Sequence, residues 1–143
     1  MYVRDYMQSN PITISPEERL HVAHQLMQTH RIRHLPVVDT NGKLVGVITD
    51  RDLRQAEPSD EPHLAEHELT YLLAKVQVKD MMTQEVVTVR AETPVAEAAQ
   101  IFLEKKFGCL PVVREDHTLA GIITVSDLLR AYVEQHQAAT QSA

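Results

Sequence analysis

Apolar and polar positions follow the same order twice along this chain. Apolar residues three or four positions apart predict an amphipathic helix over about residues 18–30 and a second over about 94–106. A short run rich in β-branched residues precedes each helix, at 11–14 and at 86–89. The pattern therefore predicts a strand followed by a helix in each half of the chain.

Two further strands are predicted after each of these helices. Asn41-Gly42 is a strong hairpin signal between two apolar runs, whereas the corresponding turn, residues 115–117, has no glycine. The predicted strands are Leu35–Asp39, Leu44–Thr49, Leu110–Arg114 and Leu119–Thr124. A second helix is expected to open at Thr49 and at Thr124, which completes the order β-α-β-β-α in both halves.

The starts of the two amphipathic helices carry capping residues. Thr93 followed by Pro94 predicts an N-cap with proline at the first helical position. In the first half, residues 15–18 read Ser-Pro-Glu-Glu, which resembles a capping box placed three residues earlier. The first helix could therefore begin at either place.

The chain aligns with itself, without a gap, when it is shifted by 75 residues. Over residues 3–53 against 78–128, 17 of 51 positions are identical, including the run Leu-Pro-Val-Val. Two copies are too few for a solenoid, so we expect them to pack on one another about a pseudo-two-fold axis. The predicted organisation is repeat 1 over 1–56, a connector with a helix over 57–77, repeat 2 over 78–133 and a flexible tail over 134–143.

Composition and charge narrow the classes of protein to consider. A net charge of −6 over 143 residues argues against a nucleic-acid surface, which needs a clustered basic face. No apolar run reaches the roughly 18 residues that span a bilayer, and the N-terminus does not resemble a signal peptide. The single cysteine, Cys109, fits a reducing compartment, so we expect a cytoplasmic protein.

One polar motif closes both repeats. Gly46-Val47-Ile48-Thr49-Asp50-Arg51-Asp52 and residues 121–127 each place a threonine at a strand–helix junction, with an aspartate three residues later. Such a pair can cap the helix. The same groups can also bind a ligand, since the junction suits a phosphate and a carboxylate can accept bonds from a ribose diol. Both roles are compatible at this spacing.

These features together resemble the CBS domain, and the tandem copies resemble the CBS-pair, or Bateman, module. The resemblance rests on the Leu-Pro-Val-Val strand, the Gly-x-x-Thr-x-x-Asp ending and the duplication, and it covers residues 3–130. The segment 67–73 is similar to that of bacterial proteins in the acetoin-utilisation AcuB group. Those relatives often have an additional ACT domain, which we do not expect in a chain of this length.

The resemblance implies an adenine nucleotide, or another adenosyl ligand, in two clefts between the paired repeats. In each cleft the aspartate would bind ribose and the threonine would bind phosphate. The first cleft would use Val47, Thr49, Arg51 and Asp52, with Thr83, Val87, Phe107 and Cys109 opposite. The second would use Ile122, Thr124, Ser126 and Asp127, with Ile12, Ile32, Arg33 and His34 opposite.

The two clefts are predicted to differ in charge. Arg33 and His34 would put positive charge beside the Asp127 cleft, whereas their counterparts Gly108 and Cys109 are neutral. Arginine matches phosphate geometry well, so we hypothesise tighter phosphate binding at the Asp127 cleft. The alternative is that Arg33 and His34 simply point into solvent.

The function predicted for the chain is regulatory and not enzymatic. Neither the eight histidines nor Cys109 fall in a strong metal-binding or nucleophile pattern, so no metal, catalytic residue or required cofactor is expected. We expect a module that senses an adenine nucleotide and signals to a partner protein not named by the sequence. The alternative is a dimerising interaction module with empty clefts. A homodimer would form through Leu53 and residues 128–132.

Overall fold

The computed structural model describes residues 1–56 and 74–141 of the chain. These residues form two compact units, which do not coincide with the sequence repeats. The first-repeat unit spans residues 12–86, and the second-repeat unit combines residues 1–11 with the chain from residue 87 onward. Each unit therefore contains a short segment from the N-terminal end of the other repeat. Most of the predicted connector, residues 57–73 of 57–77, lies outside the described residues.

In each repeat the structure has a one-turn helix that was not predicted, and then the predicted amphipathic helix, hairpin strands and second helix. In chain order they are α1 (Val3–Tyr6), β1 (Gln8–Ser9), α2 (Leu20–His30), β2 (His34–Val38), β3 (Leu44–Thr49), α3 (Asp50–Ala56), α4 (Val78–Met81), α5 (Val95–Lys105), β4 (Cys109–Val113), β5 (Leu119–Thr124) and α6 (Val125–Gln141). The fold is mixed α/β, and the predicted hairpin strands are confirmed to within one residue at each end.

An antiparallel hairpin forms the sheet of each unit. Strands β2 and β3 pair in the first-repeat unit, and the second-repeat unit has the strand order β1-β5-β4. The strands predicted over 11–14 and 86–89 are wrong as continuous strands. Only their last residues make a parallel bridge, Ile14 to Val37 and Val89 to Val112. Only Ile14 and Val89 of these two runs exchange backbone hydrogen bonds with a hairpin, so no continuous ladder forms.

Both hairpin turns contain a residue with left-handed backbone geometry, but the type of residue differs. Gly42 has φ +79°, and the side chain of Asp39 accepts bonds from the Asn41 and Lys43 N–H groups, which fixes the predicted turn. In the second repeat, His117 occupies the same left-handed position with φ +71°. Since a left-handed residue with a side chain costs roughly 1–2 kcal/mol, the turn without glycine is the strained one of the two.

Residues 1–11 and 74–86 are called the exchanged segments, because residues 1–11 belong to the second-repeat unit and residues 74–86 to the first-repeat unit. Backbone carbonyls from these segments cap the two amphipathic helices. Leu20 N–H donates to Val76 O at 2.9 Å, and Val95 N–H donates to Met1 O at 3.1 Å. Neither helix has a side-chain cap, so both predicted capping motifs are wrong. Ser15 instead bonds with Glu17, and the hydroxyl of Thr93 accepts a bond from Arg90 N–H. A distant carbonyl thus satisfies a free N–H group at the start of each helix.

The exchanged segments also complete the two hydrophobic cores. Val3 is fully buried with Phe102 and Leu110 in the second-repeat unit. Its counterpart Val78 is fully buried with Leu35 and other residues of the first-repeat unit. Helix α1, at the start of repeat 1, therefore contributes a buried side chain to the core of the second-repeat unit. Helix α4, at the start of repeat 2, does the same for the first-repeat unit.

One expectation about the helices after the hairpins is corrected. Leu53 was expected at a dimer surface, but it is buried in the core of the first-repeat unit because the short helix α3 packs that face inward. The segment from Glu134, expected to be a flexible tail, belongs to α6 as far as Gln141. Alanine and glutamine are good helix formers, which favours a helix along this segment.

Candidate functional site

The Asp52 junction joins the end of β3 to the start of α3. Thr49 N–H donates to Asp52 Oδ2 at 2.9 Å, and Asp52 N–H donates to Thr49 Oγ1 at 3.1 Å. This reciprocal pair is the predicted capping box, and Asp52 remains partly exposed. The second carboxylate oxygen, Oδ1, has no hydrogen-bond partner among the residues that the structure describes. An acceptor atom is therefore available at this junction.

The Asp127 junction has the same cap and one additional ion pair. Thr124 N–H donates to Asp127 Oδ2 at 2.8 Å, and the Thr124 hydroxyl donates to the same oxygen at 3.1 Å. Arg130 Nη2 lies 2.8 Å from Asp127 Oδ1. Asp127 is only 1% exposed and is the one buried charged side chain in the described part of the chain. Both of its oxygens are thus engaged within the second-repeat unit.

The glycine of each motif makes room for an exchanged segment. A Cβ on Gly46 would lie 2.9 Å from Thr83 O, and a Cβ on Gly121 would lie 2.7 Å from Gln8 O. Val47 and Thr83 exchange two backbone hydrogen bonds, of 3.0 and 2.9 Å, and Gln8 pairs with Ile122 at the equivalent place. Thr83 is therefore beside Val47, as the predicted residue set requires.

Gln8 is a residue that the sequence analysis missed. It occupies the position of Thr83 after the 75-residue shift and is exposed beside Ile122. The shift itself was a sufficient signal for it, because every other residue set was transferred by the same offset. Arg130 was also missed, and for it the sequence offered only the i, i+3 spacing from Asp127.

The remaining predicted residues divide between the two units. In the first-repeat unit are Val47, Thr49, Arg51, Asp52, Thr83, Ile12, Ile32, Arg33 and His34. In the second-repeat unit are Val87, Phe107, Cys109, Ile122, Thr124, Ser126 and Asp127. Within the hairpins, His34 pairs with Thr49 and Cys109 pairs with Thr124, so the residue before each Leu-Pro lies beside the threonine of its own repeat.

The charges of these residues differ from the sequence-based expectation. Burial lowers the pKa of His34 below its ordinary value of 6.5, with Asp50 raising it and Arg33 lowering it to smaller extents. His34 is therefore neutral at pH 7. The hypothesis of tighter phosphate binding at the Asp127 cleft loses one of its two cations, and Arg33, which is exposed, is the one that remains.

Cys109 is buried at the start of β4. Burial raises the pKa of its thiol to about 12, so the sulfur is protonated at neutral pH. A thiol in that state is a poor nucleophile and packs as a small apolar side chain.

Within residues 1–56 and 74–141, no three His, Cys, Asp or Glu side chains are grouped so that they could hold a metal ion. The helices found in the same ranges are too short or too polar to cross a membrane. The second-repeat unit also has a cavity of about 500 Å³ near the beginning of β5, where Arg90 and Arg114 are balanced by Glu92 and Glu115. None of the predicted residues lines it.

The sequence of this chain is similar to those of several known proteins. The CBS domain family model matches residues 3–59 and 78–134. A CBS domain-containing protein of Dictyostelium discoideum is 40% identical over 129 residues, covering 89% of this chain and 88% of the relative. Inosine-5'-monophosphate dehydrogenase of Methanocaldococcus jannaschii is 34% identical over 119 residues, but this chain spans only 21% of its length.

Solved structures agree with these matches. An AcuB-like protein from Vibrio cholerae has a TM-score of 0.82 and 31% identity, covering 100% of this chain and 98% of that one. CBSX2 in complex with AMP has a TM-score of 0.79 and 33% identity, covering 94% and 98%. The CBS domain pair of MJ0100, in complex with 5-methylthioadenosine and S-adenosyl-L-methionine, has a TM-score of 0.78 and 30% identity, covering 94% and 98%.

Proposed function

Because this chain belongs to the CBS domain family, we propose that it is a regulatory module that binds AMP, ADP, ATP or a related adenosyl ligand and signals to a partner protein. The observation that carries the proposal is the Thr-x-x-Asp junction, built with the same hydrogen bonds in both repeats. A ligand can act as a signal only if it binds two arrangements of the module with different affinity.

The chemistry of the junctions suits a ribose and a phosphate. A carboxylate can accept hydrogen bonds from both hydroxyls of a ribose, and Asp52 has an oxygen without a partner among the described residues. The Thr49 hydroxyl accepts a bond from Asp52 N–H and can also donate to a phosphate oxygen, since hydroxyl groups act as both donor and acceptor. These two groups recognise the sugar phosphate but do not distinguish one base from another.

The adenine preference is supported by relatives. CBSX2 is described in complex with AMP, and the MJ0100 pair is described with two ligands that both contain an adenosyl group. We extend that preference to this chain, at the two residue sets named above. The dehydrogenase activity of the longer relatives is not extended, because the matched part is about a fifth of their length. We therefore propose binding without catalysis, in the cytoplasm, where a lone thiol stays reduced.

A ligand screen tests the proposed function. Thermal unfolding would be followed with AMP, ADP, ATP, S-adenosylmethionine, 5-methylthioadenosine and cyclic di-AMP, with GMP as the control for the base. A ligand present at a hundred times its Kd should stabilise the fold by about 2.7 kcal/mol, which raises Tm by several degrees. If none of these ligands moves Tm, and calorimetry detects no heat, the proposed function is wrong.

Homodimerisation is a second part of the proposal. Helix α6 exposes Leu129 and Tyr132, which are 62% and 61% exposed, together with Val125 and Val133 on neighbouring turns. This apolar stripe lies on the helix that was expected to form the dimer, and its exposure supports a second copy as the occupant.

Leu129→Glu tests the dimer. We expect this variant to shift the protein toward monomer in analytical ultracentrifugation at micromolar concentration, because a charge would be buried in an apolar contact. Leu103→Glu is the matched control, since Leu103 is 78% exposed on α5. A wild-type monomer at these concentrations, or dissociation by Leu103→Glu alone, would contradict the proposal.

A further inference from the structure

Arg130 joins helix α6 to helix α1 within the second-repeat unit. From the second turn of α6 its Nη2 atom donates to Asp127 Oδ1 at 2.8 Å and to Tyr6 O, at the end of α1, at 3.4 Å. The Arg130 side chain is 52% exposed, whereas that of Asp127 is 1% exposed. The guanidinium therefore covers the side of the carboxylate that does not face Thr124.

Among the described residues, the first repeat has no such contact. The residue equivalent to Arg130 after the 75-residue shift is Gln55, which is exposed on α3. Asp52 is held by Thr49 alone among the described residues, whereas Asp127 is held by both Thr124 and Arg130. Within residues 1–56 and 74–141, Asp52 thus has one carboxylate oxygen without a partner, whereas both oxygens of Asp127 are bonded.

We propose that Arg130 sets the affinity of the Asp127 junction, by occupying the carboxylate oxygen that a ribose hydroxyl would otherwise bind. This inference rests on the proposed function, since it concerns the same ligand. If a neutral ribose hydroxyl displaces Arg130, Asp127 loses a hydrogen bond from a charged donor and gains a weaker one from a neutral donor. The Asp127 junction therefore binds an adenosyl ligand more weakly than the Asp52 junction, which is the reverse of the order that the sequence suggested.

The half-exposed position of Arg130 limits the size of the effect. Ion pairs with one solvent-exposed partner are screened, so loss of the pair should change affinity by about three- to tenfold. The same screening predicts that the difference in affinity between the two junctions depends on salt concentration. Added salt weakens the Arg130–Asp127 pair and should narrow the difference in affinity for an uncharged ligand, such as 5-methylthioadenosine, between the two junctions.

Reciprocal exchange of the two equivalent residues tests the inference by calorimetry with AMP and 5-methylthioadenosine. In an Asp52→Ala background, which leaves only the Asp127 junction, Arg130→Gln should tighten binding three- to tenfold, and Arg130→Lys should tighten it less. In an Asp127→Ala background, Gln55→Arg should weaken binding at Asp52 by a similar factor. Thermal unfolding of each variant without ligand separates a change in affinity from a loss of fold.

The outcomes separate this inference from the proposed function. If the wild type binds the ligands but Arg130→Gln leaves the affinity unchanged, Arg130 does not set it and the inference fails alone. If Arg130→Gln weakens binding, the guanidinium bonds to the ligand itself and the inference is overturned. Should Arg130→Gln fail to fold, Gln55→Arg decides, because it adds a side chain at an exposed position. Absence of binding to the wild type overturns both proposals together.

Discussion

Val3→Asp should reduce the free energy of unfolding by about 3 kcal/mol or more, because a carboxylate would replace an apolar side chain with no exposure and no polar partner. The loss of stability should fall on the second-repeat unit, although Val3 belongs to repeat 1 in the sequence. Amide hydrogen exchange should show loss of protection in α5, β4 and β5, while α2, β2 and β3 retain theirs.

Two variants control this experiment. Val78→Asp changes the equivalent buried residue and should reduce protection in the first repeat instead, because Val78 packs with Leu20 and Leu35. Arg4→Ala removes an exposed neighbour of Val3 and should change the free energy of unfolding by about 0.5 kcal/mol or less. Equal loss of protection in both repeats from Val3→Asp would contradict the assignment of residues 1–11 to the second-repeat unit.

Asp52→Ala should produce the largest loss of ligand affinity of any single change at the junctions. Hydrogen bonds to a charged group contribute about 1.5–3 kcal/mol each, so the affinity for AMP at this junction should fall about 10- to 100-fold. Asp127→Ala should cause a smaller loss, because Arg130 already occupies one of the Asp127 oxygens. Calorimetric titration with AMP measures both.

The control for Asp52→Ala is a second aspartate on the same helix. Asp50 is partly exposed and forms a long ion pair with Arg54 at 3.7 Å. Asp50→Ala should leave the AMP affinity within a factor of about three, since such surface pairs contribute little. A larger loss from Asp127→Ala than from Asp52→Ala would restore the sequence-based hypothesis and count against the proposed role of Arg130.

The hairpins and the junctions were predictable from sequence because their determinants are local. Asn41-Gly42 specifies its own turn through the left-handed backbone of Gly42 and the Asp39 carboxylate. The Thr-x-x-Asp spacing likewise specifies a capping box, since N-cap and N3 are neighbours in any helix. The helix caps at Leu20 and Val95 were mispredicted because the acceptors are 56 and 94 residues away in the chain.

Charge at the candidate site was harder to predict than the identity of its residues. His34 was counted as a titratable cation, but burial lowers its pKa. The degree to which a histidine is buried depends on its neighbours in the fold and does not follow from its residue type. The Arg130–Asp127 contact has a spacing visible in the sequence, yet i, i+3 pairs are common on exposed helices and contribute little there. What makes this pair important is that Asp127 is buried.

The sequence by itself determined the duplication, the amphipathic helix and hairpin of each repeat, the hairpin turns and the two Thr–Asp pairs. The duplication follows from comparing the two halves, and the other features depend on residues within a few positions of one another, where backbone preference and hydrogen bonding act directly. The tertiary structure alone decided which unit the segment from Met1 to Pro11 completes, and that Arg130 binds the buried Asp127 carboxylate, a contact that Asp52 does not make with any described residue. Segments such as those around Val3 and Val78 have nearly the same local sequence, so only the packing of distant side chains distinguishes their places.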